Sequence, residues 1–178
     1  MNRMTTDPND VLGISEADLP LMVFSDHMRS FFSWGIKAHE CGAYNHFMWM
    51  INPHEFVSQD WALHRVPIRE YLKGDHRLKF VRGTNWTPAQ KIQIRVALCL
   101  ALDEPLYKRL YDPLQIVGKA IWCNWLQIPG LEICSDYGYI LHKTDPSYNL
   151  VHPSPTDINK WTKDRQDRYG VYLRYLPD

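Results

Sequence analysis

Tyr44-Asn45-His46-Phe47-Met48-Trp49-Met50-Ile51, then Asn52-Pro53-His54, then Glu55-Phe56-Val57-Ser58-Gln59-Asp60-Trp61, is the stretch that decides the fold. Large apolar side chains fill the first run, Asn-Pro marks a turn, and the second run has a strand-like pattern. The spacing predicts a β-hairpin. His46 is a titratable group at the head of an otherwise apolar strand. A ring held there by packing can reach a neighbouring side chain, which makes His46 a candidate base. Alone, it reads more readily as a hydrogen-bonded sheet residue than as a catalyst.

Elements around the hairpin follow from pattern and punctuation. Leu21-Met22-Val23-Phe24 reads as a short buried strand, and Met28, Phe31, Phe32 and Ile36 recur at helical spacing over Asp26 to His39. Val66 to Leu72 suggests a short helix closed by Lys73-Gly74, and Arg77 to Val81 a strand. Thr87-Pro88-Ala89-Gln90 is a helix start, with Thr87 as cap, Pro88 in the first turn and Gln90 completing a capping box. Ile92, Val96, Cys99 and Leu100 form the expected inward stripe of that helix, which makes Cys99 a core residue. A second helix is expected from Pro113 to Trp125, a segment from Leu131 to His142, a helix from Thr156 and a strand from Tyr169 to Leu176. With residues 1–20 as a polar arm and 21–178 as one domain, the class is α+β.

The chain has 178 residues, 45% hydrophobic and 22% charged, with 20 basic and 20 acidic side chains. This size supports a single core without staples. The zero net charge argues against a protein built to hold nucleic acid. Its longest apolar run, Val96 to Leu102, is far shorter than the ~18–20 residues of a membrane span. No secretory signal is read near Met1, so a cytoplasmic protein with no transmembrane segment is expected. Oligomeric state has no signature. Aromatic residues make up 13%, an excess that suits a binding surface as well as a core.

Four cysteines, Cys41, Cys99, Cys123 and Cys134, are irregularly spaced and argue against a disulfide framework. Cys134 stands out in Glu132-Ile133-Cys134-Ser135-Asp136-Tyr137-Gly138, where an apolar approach meets a helix start. Free N–H groups and the positive dipole end at such a place favour a thiolate. A thiolate beside an imidazolium is the usual activated cysteine nucleophile. His39, Cys41 and His46 match no common zinc spacing, so no metal is expected. No glycine-rich phosphate loop is seen, and no cofactor is expected. Arg77, Lys79 and Arg82 read as an exposed sheet face.

Taken together, the Tyr44-Asn45-His46 strand and Glu132-Ile133-Cys134-Ser135 resemble the His and Cys-Ser motifs of the permuted NlpC-type papain-like cysteine hydrolases. The His strand precedes the Cys segment, as in that family. Leu110-Tyr111-Asp112 resembles its Tyr-Asp element and Pro153-Ser154-Pro155-Thr156-Asp157 its Ser-Pro element, so the likeness extends over residues 20 to 160. It implies a papain-like antiparallel sheet packed against helices, with Cys134 as nucleophile, His46 as base and a peptide, cell-wall peptide or lipid acyl substrate. It also implies a third residue on the strand after His46 that orients the imidazole. Simple spacing lands on Ser58. A two-residue hairpin loop instead brings Gln59 to the face of His46, and a three-residue loop brings Ser58 and Asp60. Gln59 is the favoured member. The irregular third position also admits an inactive papain-like scaffold, a structural or binding protein of a phage or virus particle.

Overall fold

The computed structural model describes residues 13–27, 43–72, 76–112, 114–115, 128–129, 132–151 and 153–176. Its centre is a six-stranded sheet of β1 (Leu21–His27), β2 (His46–Asn52), β3 (Glu55–Gln59), β4 (Leu63–Pro67), β5 (His76–Gly83) and β6 (Tyr169–Tyr175). The order is β4-β3-β2-β1-β5-β6, and every neighbouring pair is antiparallel. Among the described residues it is accompanied by α1 (Ile68–Leu72), α2 (Pro88–Asp103) and α3 (Pro155–Lys163). A 3-10 helix spans Asp136–Lys143. The class is α+β. Among the described residues no helix is long and apolar enough to cross a membrane.

Alternation along the central strands divides the apolar side chains between two faces. Met22, Phe24, Phe47, Trp49 and Val81 point to one side, where Ile94 and Leu98 of α2, Ile140 and Leu141 of the 3-10 helix, and Ile158 and Trp161 of α3 cover them. Leu21, Val23, Met48, Met50 and Phe80 point to the other, against Ile68 and Tyr71 of α1. Both sides of the sheet are therefore buried, which is why β1 and β2 read as unbroken apolar runs. Trp49 Nε1 donates to the Tyr137 carbonyl (3.2 Å) and ties β2 to the 3-10 helix.

Several expectations need correction. Asp26 and His27 continue β1 and do not begin a helix, and residues 28–42, with His39 and Cys41, lie outside the described residues. Val66 and Pro67 end β4, a strand hidden in the sequence by the Pro and by the short helix behind it. The capping box of Thr87 and Gln90 forms, but α2 is turned from its expected face. Ile94 and Leu98 point inward, whereas Ile92 and Leu100 are 60% and 63% exposed. The helix has apolar residues nearly all round, so its periodicity does not select a face. Cys99 is accordingly half-buried, 4.0 Å from Arg65 Nη2, and not a core residue. Lys79, expected on an exposed face, is only 6% exposed. Cys123 and most of the expected 113–125 helix lie outside the described residues.

Candidate active site

The β2–β3 hairpin sets the face on which His46 finds its partners. Pro53 and His54 form a two-residue turn, and Asn52 pairs with Glu55. The register then shifts between Met50 and Asn52, so that Met50 pairs with Phe56 and Trp49 with Val57. Ile51 is the extra residue, a β-bulge, and one inserted residue exchanges the two faces of a strand relative to its partner. The loop has the length that favours Gln59, yet the bulge hands the position to Ser58 and Asp60.

His46 Nε2 lies 2.7 Å from Ser58 Oγ and 3.1 Å from Asp60 Oδ1. Ser58 donates to the same Asp60 oxygen (3.0 Å), as does Tyr71 Oη (3.1 Å), and Tyr71 stacks parallel to the His46 ring. The imidazole is thus packed on α1 and held through a carboxylate that is itself held by two hydroxyls. Gln59 points elsewhere. Its Nε2 donates to the carbonyls of Arg109 (3.1 Å) and Glu132 (3.2 Å), so the amide does not orient His46.

Cys134 is 3% exposed and sits in a turn two residues before the 3-10 helix, not at the first turn of an α-helix. A framework of hydrogen bonds fixes that turn. Ser135 Oγ donates to the Pro153 carbonyl, the Ile133 N–H to Asp136 Oδ2 (2.9 Å), and the Asp136 N–H to the Ile133 carbonyl (3.0 Å). Buried Asp112 accepts the N–H groups of Leu114, Gln115 and Ile128, while its own N–H bonds to the Glu132 carbonyl (3.1 Å). The pieces flagged in sequence around Asp112 and Pro153 are therefore the supports of the Cys134 turn.

Cys134 lies close enough to His46 and to the Tyr111 phenol to act on the ionisation of both. Burial disfavours the charged ring of His46, but the influence of Cys134, the hydrogen bond to Asp60 and the Asp60 charge outweigh it and push its pKa up to about 10. Burial likewise opposes ionisation of Asp60, yet His46, Ser58 and Tyr71 bring its carboxyl down to about 2. Burial and the neighbouring Cys134 charge raise the Tyr111 phenol, so it stays protonated and is a donor. The arrangement can hold an imidazolium on the Asp60 carboxylate, with the Cys134 sulfur and the Tyr111 phenol close by.

His46 and Cys134 are brought together; Gln59 is not brought to them. Asp60 and Ser58, named above as alternatives, occupy its expected place. Tyr71 has no signal in the sequence, because its role depends on α1 folding back over β3. Tyr111 stands within the Leu110-Tyr111-Asp112 motif, and its backbone bridge to Glu132 brings that segment beside the one that carries Cys134. A scan against protein-family models finds no match, and a search of curated proteins finds none either.

Proposed function

We propose that the chain is a papain-like cysteine hydrolase that cleaves an amide or ester bond through an acyl-enzyme. The supporting observation is the His46 ring held through Nε2 on Asp60 and near enough to Cys134 for the two side chains to influence each other's charge. The order of the chain, His strand before Cys segment, is the one the resemblance implies, and His46 stands on an antiparallel sheet.

In this mechanism His46 takes the thiol proton, and the thiolate attacks the carbonyl carbon. The carbonyl electron pair moves to oxygen, where the Tyr111 O–H and the Cys134 main-chain N–H are the candidate donors. The imidazolium then protonates the departing amine or alcohol as the C–N or C–O bond breaks and a thioester remains. His46 next deprotonates water, which attacks the thioester; the acid leaves and the ion pair is restored. A 410 Å³ groove has Glu132 and Tyr137, which flank Cys134 in the chain, on its wall with Leu100, Tyr139 and the charged Glu104, Lys108, Arg109 and Lys143, while Cys134 and His46 do not line it.

Alkylation by iodoacetamide at pH 7, read by mass spectrometry at each cysteine, tests the reading. Cys134, though buried, is expected to react at least about tenfold faster than the more accessible Cys99, and His46→Ala to abolish the difference. Equal rates at the two would end the enzyme proposal. The slight exposure of Cys134 favours a second reading, a non-catalytic scaffold that retains the fold, and that same result selects it.

A further inference from the structure

We propose that the pocket between β5, β6 and the C-terminal end of α3 binds a phosphomonoester. Lys79 of β5 is directly opposite Arg174 of β6 in the sheet register, and Lys163 at the end of α3 lines the same cavity. Like charges placed directly across a strand pair destabilise it. Among the described residues no carboxylate lines this cavity and none forms an ion pair with any of the three. Arg174 and Lys163 are exposed, so water relieves them, but Lys79 is buried.

Lys79 is the buried cation of the three and has no acidic partner among the described residues. Its ammonium carries three donors and among the described residues has one hydrogen bond, 2.5 Å to Asn159 Oδ1 of α3, together with the face of Phe24 at 5.5 Å. Burial, and then the charges of Arg174 and Lys163, pull its pKa down to about 8, the response of a cation held without a counter-charge. A buried charge is normally paired. An anion with several acceptor oxygens can bridge three cations converging from two strands and a helix, and this is the geometry a phosphate group satisfies.

The cavity also indicates what the phosphate is attached to. Its 350 Å³ is much more than a bare oxyanion fills, and Val81, Val171 and Tyr169 supply an apolar wall beside the cations. The ligand is then an organic group with a phosphate head. A soluble phosphate ester and the head of an anionic lipid share this chemistry. The site stands on β5 and β6 and is separate from the reaction proposed for Cys134.

Calorimetric titration of the full chain with phenyl phosphate at moderate salt, beside phenol as the body without the head, tests the soluble ligand. Co-sedimentation with phosphatidylcholine vesicles containing phosphatidate tests the lipid. Lys79→Met is expected to weaken binding of the preferred probe by roughly tenfold or more. It exchanges a buried unpaired charge for an apolar side chain of similar length, so the fold should hold. Arg174→Gln, at an exposed position, is expected to weaken binding severalfold and provides the same test should Lys79→Met not fold. Sensitivity to these substitutions with phenyl phosphate assigns a soluble ester, and with vesicles alone a lipid head. Failure of both probes to bind, or binding indifferent to both substitutions, overturns the proposal.

Discussion

Asp60 Oδ1 stands 3.1 Å from His46 Nε2 and accepts hydrogen bonds from both Ser58 and Tyr71, so the carboxylate is fixed before it acts on the ring. Its charge and hydrogen bond raise the His46 pKa, and His46 in return lowers that of Asp60. Because the folded-state His46 value lies above its ordinary 6.5, the stability it contributes is complete below 6.5 and lost as pH rises through about 10. The Asp60 contribution runs the other way: complete above the ordinary 3.8, lost as pH falls towards about 2.

Asp60→Asn removes the charge and keeps the shape. The imidazolium is then less favoured, so the alkaline limb of the Cys134 alkylation rate moves to lower pH. The rate of acyl transfer should fall by between about ten- and a thousandfold, as expected for a group that supports a general base. A pH–rate profile from pH 5 to 10.5 on both proteins measures this. An alkaline limb that does not move would show that Asp60 has no hold on the ring.

Tyr111 separates two kinds of reactivity. Attack on a carbonyl creates an oxyanion, whereas alkylation by iodoacetamide creates none. If the phenol O–H serves the oxyanion, Tyr111→Phe lowers acyl transfer to a p-nitrophenyl ester by about a hundredfold. Alkylation should change by less than about threefold, since its transition state has no such oxygen. Equal losses in both reactions would reduce Tyr111 to a prop for the sulfur.

Gln59 is a positioning residue. Its amide joins the carbonyls of Arg109 and Glu132, which belong to the segments on either side of the Tyr111–Glu132 bridge. Each carbonyl has a second donor, from the Leu63 and Asp112 N–H groups, so Gln59→Met should cost about 1–2 kcal/mol of stability. Gln59→Glu places a carboxylate against two carbonyl oxygens in a buried site and should cost more, roughly 2–4 kcal/mol. The alkaline limb should stay where it is in the Met variant. Movement of that limb, measured beside the denaturant midpoint, would return Gln59 to the imidazole.

What the sequence made legible was whatever local pattern controls. The His46 hairpin, the Thr87 capping box and the terminal strand could be read because turn residues, caps and alternation act over a few positions. The choice between Gln59 and Ser58 with Asp60 turned on Ile51, whose bulge no local propensity announces. The face of α2 was lost because apolar residues occur on both its sides, and the burial of Lys79 because it depends on α3 coming over β5 from 80 positions away. Joining His46 to Cys134 was an inference from resemblance; the geometry depends on contacts at Asp112 and Pro153 that the sequence leaves unpaired.

Gly138 offers a test of how rigidly the cysteine segment must be seated. It lies in the 3-10 helix just after Cys134, where a Cβ would fall 2.5 Å from Tyr148 Oη and 2.6 Å from Ile158 Cδ1. Tyr148 and Ile158 are both fully buried, so neither side chain can swing clear, and α3 or the 3-10 helix must shift. Gly138→Ala should therefore lose about 1–3 kcal/mol, seen as a melting temperature lower by roughly 2–10 °C. Because the shift begins four residues after Cys134, alkylation of that cysteine should slow while alkylation of Cys99, on α2, stays the same. An unchanged melting temperature would mean that the helix closes on α3 less tightly than the Gly138 contacts require.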